Sequence, residues 1–146
     1  MQRSLSFERI YPILLAASSA IAAWLLDFAL PTDATKELLA ATISFGAILA
    51  GFIGTAKSIL MALPAALLTK LRTSTYMDDL AGYLSTALTG SLITSALSVV
   101  GFFSLPEFFK HWYPALWLGS LVYAGISFWR ASRIMVLLLK IDPSKI

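Results

Sequence analysis

Residues 51–60 read GFIGTAKSIL, and Lys57 within them is the only ionisable residue between Leu38 and Thr69. A run this long and this apolar is either the core of a large soluble domain or a membrane span. Composition decides between them. The chain has 146 residues, 58% of them hydrophobic and 13% charged, with a mean hydropathy of +0.80. A soluble domain of this size has too little interior to hide that much apolar surface. The predicted fold is therefore all-α: one integral-membrane four-helix bundle over 1–146, with no stretch long enough for a second domain. The absence of cysteine excludes disulfide and thiol chemistry.

A spanning helix needs roughly 20 mainly apolar residues. Four segments qualify: about 10–30, 38–57 with an apolar extension to 71, 80–103, and 112–133 with an extension to 139. The breaks are PTDATKE (31–37), TKLRTSTYMDD (69–79) and SLPEFFKHWYP (104–114). In the last, Ser104 and Glu107 have capping-box spacing and a short interfacial helical turn is expected. AASSAIAA in the first segment resembles a signal cleavage site, but the segment is read as a retained first span.

Basic residues set the orientation. Arg3, Arg9, Lys57, Lys70, Arg72, Arg130, Arg133, Lys140 and Lys145 fall on one side and only Lys36 and Lys110 on the other. By the positive-inside rule both termini are cytoplasmic. Trp24, Trp112 and Trp117 then lie toward the outer interface, with Tyr11 and Trp129 toward the inner one.

In this register Lys57 lies 19 residues past Leu38, roughly 28 Å along the helix. It reaches the cytoplasmic boundary, where its ammonium can snorkel to headgroups. Two other readings stay open. Lys57 can face the protein interior and pair with Asp78 or Asp79, or the helix can slide inward and place it mid-bilayer as a functional charge. With Lys70, Arg72, Arg130 and Arg133 it forms a basic inner face suited to membrane lipids or a cytoplasmic protein partner.

Two spans carry small residues every fourth position: Gly46, Ala50, Gly54 and Ser58, then Gly82, Thr86, Gly90, Thr94 and Ser98. Such stripes let membrane helices approach closely, so homo-oligomerisation, taken as a tetramer, is expected through spans two and three. Seven of the fourteen residues from Ser85 to Ser98 are Ser or Thr. They either bond within the helix packing or line a water path. Ser85, Thr86 and Thr89 fall on one side, and Ser91, Thr94, Ser95 and Ser98 on the other. A lumen needs one polar face over its whole depth, so packing is the favoured reading.

No enzymatic pattern is present. His111 has no ligand or triad partners in sequence, no Gly-rich loop follows a strand, and the carboxylates form no acid/base pair. Asp27 is read as a water-exposed interfacial cap. No catalytic residue, cofactor, metal or direct nucleic-acid contact is expected.

GFIGTAKSIL followed, after a basic connection, by RTSTYMDDL resembles small phage-defence membrane proteins over about the middle half of the chain. The layout looks like the RexB membrane protein of lambdoid phage exclusion and the four-span membrane subunit of the Kiwa system. The resemblance implies a bacterial inner-membrane component of anti-phage defence. On the Kiwa pattern it is an oligomeric sensor or scaffold working with a cytoplasmic partner. On the RexB pattern it is an ion-conducting or holin-like pore that depolarises the membrane.

Overall fold

The computed structural model describes residues 5–31, 33–62, 76–103 and 106–139, with side chains described over 10–31, 33–59, 61–62, 80–103 and 106–136. Among them are four helices and no strand: α1 (Leu5–Leu25), α2 (Thr35–Met61), α3 (Tyr76–Val100) and α4 (Glu107–Leu139). The connection carrying Lys70 and Arg72, the apolar extension to Leu71, Ser104 of the expected capping box, and the side chains of Asp78 and Asp79 lie outside these residues.

Helix boundaries differ from expectation at informative places. α1 stops at Leu25, not Leu30, because Asp27 adopts a left-handed conformation, φ 48°. The Phe28 amide donates to the Ala23 carbonyl at 2.9 Å and the Asp27 amide to the Trp24 carbonyl at 3.2 Å. That bond pair is a Schellman ending, which satisfies carbonyls the helix leaves free. Asp27 is thus a C-terminal cap, one of the few non-glycine types that tolerates this conformation.

α4 begins at Glu107, several residues before the expected break ends, and runs unbroken for 33 residues. At 1.5 Å per residue it is about 50 Å long, well beyond a hydrocarbon core of roughly 30 Å. Its first turn is stabilised by Glu107, favourable at a helix N-terminus, and by an ion pair from Lys110 to Glu107.

The helices form an open row. α1 packs on α4, α4 on α3 and α3 on α2; α2 touches α4 only slightly, and α1 does not meet α2. This differs from a closed bundle, in which each helix has two full neighbours. Two clusters hold the row. Leu39, Tyr113 and Trp117 pack with Leu38 and Leu121 near one end. Ile53, Ala56, Leu80, Leu84, Ala87 and Ala131 pack with Phe128 and Met135 toward the other.

Large apolar side chains remain exposed on every helix, among them Ile13 and Leu14, Ile48 and Phe52, Leu92 and Ile93, and Leu116 and Trp129. Two segments, Thr35–Ile59 and Leu80–Val100, are long and apolar enough to cross a membrane, which points to a membrane location. α1 offers a shorter apolar stretch, Ile10–Leu25. The apolar character of α4 is diluted by Trp117, Tyr123, Trp129 and Arg130.

Candidate functional site

The small-residue stripes divide once the helices are packed. Steps of four residues advance 400° around a helix, so an i, i+4 stripe drifts by about 40° per step. The packed face follows alternating steps of three and four. On α2 it comprises Leu39, Thr42, Gly46, Leu49, Ile53 and Ala56, all buried. Gly46 lies on it; Ala50 is half-buried, and Gly54 and Ser58 have rotated into the open.

Glycine surroundings make the division concrete. A Cβ added at Gly46 would sit 2.1 Å from Ser95 Oγ and 3.0 Å from the Ser91 carbonyl. At Gly90 it would sit 3.0 Å from Tyr123 Cδ1 and 3.3 Å from Ala124 Cα on α4. Gly54 and Gly82 have nothing within 4 Å of that position. Gly46 and Gly90 are therefore occupied by contacts within the chain.

The hydroxyls of α3 follow the same division. Ser91, Thr94 and Ser98 are fully buried. Thr94 Oγ1 reaches the Ser120 carbonyl on α4 at 2.8 Å and the Gly90 carbonyl on its own helix at 3.0 Å. Trp117 Nε1 donates to Ser98 Oγ at 3.0 Å, and Ser98 Oγ donates to the Thr94 carbonyl at 2.9 Å. Tyr113 OH donates to the Leu97 carbonyl at 3.0 Å. Each bond satisfies a buried polar group and ties α3 to α4 or to itself. On the opposite side, half-buried Thr86 and exposed Thr89 bond back to the carbonyls of Gly82 and Ser85.

The basic residues are less uniform than their sequence grouping. Lys57 and Arg133 are exposed. Arg130 is half-buried and lies 4.4 Å above the ring of Tyr83 on α3, a cation–π contact. Its Nη2 and Ser127 Oγ, one turn earlier, are buried without a hydrogen-bond partner. Lys70, Arg72 and the proposed Asp78 or Asp79 partners of Lys57 lie outside the described side chains.

Sequence reading missed the contact between α1 and α4. A Cβ at Gly119 would lie 2.9 Å from Ala20 Cβ and 3.2 Å from the Ala16 carbonyl. The signal was present in AASSAIAA, whose Ala16, Ala20 and the position of Ala23 form a small-residue face, but the cleavage-site resemblance competed with it. At the end of the same seam where α1 ends and α4 begins, Trp24 stacks on Trp112, with centroids 5.6 Å apart and planes at 16°. Beside them is a cavity of about 120 Å³ lined by residues that include Trp24, Asp27, Lys110 and His111. His111, isolated in sequence, thus shares a cavity wall with Asp27.

Among the described residues no group of three His, Cys, Asp or Glu side chains is placed to hold a metal ion. The chain matches no family model, no curated protein and no solved structure.

Proposed function

We propose that this chain is a non-enzymatic four-span protein of a bacterial inner membrane, with both termini cytoplasmic, acting as an oligomeric sensor or scaffold. The membrane reading is supported by what the long helices leave exposed. Only 28% of the apolar window in α2 and 39% of that in α3 is buried within the chain, whereas a soluble core helix would be covered. The exposed hydroxyls support it too: those of Ser18, Ser44, Thr55, Ser58 and Thr89 all bond to carbonyls of their own helix, so they bring no unmet donor into lipid.

One observation favours scaffold over pore. The hydroxyl-rich half of α3 is closed by bonds to α4, and Thr94 and Ser98 have no exposed surface from which to line water. The open glycines, Gly54 and Gly82 of the two stripes among them, leave room for a second copy to approach. A basic inner face that includes Lys57, Lys70, Arg72, Arg130 and Arg133 would engage a cytoplasmic partner or anionic lipid. The role in phage defence rests on the sequence resemblance.

The test is membrane potential, read with a voltage-sensitive dye in cells expressing the chain, before and after phage challenge. A steady potential, with loss of partner recovery in a Lys70→Glu, Arg72→Glu variant that still inserts, is the expected result. Depolarisation abolished by replacing Thr86, Thr94 and Ser98 with leucine would overturn the scaffold in favour of the pore.

A further inference from the structure

We infer that the cleft between the end of α1 and the start of α4 binds an ammonium-bearing headgroup of the phosphoethanolamine type. The inference rests on the membrane reading only for the source of that headgroup, not for its chemistry. The cleft of about 120 Å³ is walled by Trp24, Asp27 and Phe28 on one side and Lys110, His111 and Pro114 on the other.

Three independent features make it a place for a cation. Asp27 brings a carboxylate, and among the described residues no ion pair is made to it. Pro114 has no N–H, so the Lys110 carbonyl one turn earlier loses its helical donor. Both residues line the cleft, and the site we propose uses this carbonyl as a second acceptor. The Trp24 indole, held by its stack on Trp112, adds an electron-rich face of the kind that attracts ammonium groups.

Lys110 does not cancel this. Its ammonium is drawn to Glu107, one turn earlier on its own helix and 88% exposed. The Lys110 and His111 side chains at the rim suit the phosphate of the same headgroup. Leu25, Leu26, Phe108 and Leu116, near the lining residues in sequence, are exposed and offer apolar surface along which acyl chains would run. Asp27 and the Lys110 carbonyl accept hydrogen bonds, so a primary ammonium is preferred over a trimethylated one, which has no N–H to donate.

Native mass spectrometry of the delipidated full chain, titrated separately with dioleoyl phosphatidylethanolamine, phosphatidylcholine and phosphatidylglycerol, tests this. Phosphatidylethanolamine should bind about tenfold more tightly than the other two, the scale of one charge-assisted hydrogen bond. Asp27→Asn should remove that preference while keeping the left-handed turn, since asparagine tolerates it equally well. Equal affinity for the three lipids, or a preference untouched by Asp27→Asn, would overturn the site. Competition by millimolar O-phosphoethanolamine would identify a free amine as sufficient; preference without competition would identify the lipid. Alkaline carbonate extraction of cell membranes reads the other premise separately: release of the chain would sink the membrane reading and leave the amine site standing on the titration.

Discussion

Lys57 and Arg130 belong to the same sequence class, isolated basic residues in apolar helices, yet their surroundings separate them. Lys57 is exposed, whereas Arg130 is folded over Tyr83 at the seam of α3 and α4. Glycines divide in the same way. Gly119 sits where α1 crosses α4, with Ala20 Cβ 2.9 Å from its missing Cβ, while Gly125 has nothing within 4 Å. Gly119→Leu should therefore destabilise the fold by about 1–3 kcal/mol, the range for overpacking a tight contact. Gly125→Ala should be neutral or stabilise by up to about 1 kcal/mol through helix propensity. Unfolding in mixed SDS micelles, followed by circular dichroism, reads both; equal losses would mean that α1 does not pack as described. Trp117→Phe keeps one aromatic ring but removes the donor to Ser98 Oγ and part of a buried side chain. A loss of more than about 1 kcal/mol, the hydrogen bond plus the space left behind, is expected in the same assay.

At the scale of the element, the small-residue stripes were legible but their direction was not. The i, i+4 ladder suggests a contact face, whereas the contact runs in steps of three and four, and the difference carries Gly46 inward and Gly54 outward. Disulfide trapping exposes the distinction in a chain without native cysteine. A Cβ at Gly46 would be 3.4 Å from Ser95 Cβ, near the separation a disulfide uses. Gly46→Cys with Ser95→Cys should oxidise within one chain and run as a monomer on non-reducing gels. Gly54→Cys alone should give a dimer band if copies meet at the open glycines. A dimer from the first pair, or only monomer from Gly54→Cys, would reverse the assignment of intramolecular and intermolecular faces. The hydroxyls of α3 were similarly half-read. Their change of face along the helix was visible in the angles, but that one face closes against Trp117 and Ser120 was not, because those partners are distant in sequence.

Among the described residues the helices stand in a row in which α3 and α4 are central and α1 and α2 are edges. Two edges that do not meet leave much of α1 and α2 uncovered among the described residues. Cysteine labelling from outside intact cells should modify Glu107→Cys and fail at Arg133→Cys until the membrane is opened. The reverse pattern would invert the topology.

The sequence by itself determined that the chain is helical, roughly where the four helices of the described residues lie, and that it carries more apolar surface than those helices bury. Those properties are local or additive: hydropathy sums along a segment and charge counts accumulate loop by loop. Tertiary structure alone decided which helices are neighbours, which glycines are spent inside the chain, and that Asp27, Lys110 and His111 share one cleft. Helix pairing turns on contacts between residues tens of positions apart, and a rotation of 40° per step is enough to move a small residue from a packed face to an open one.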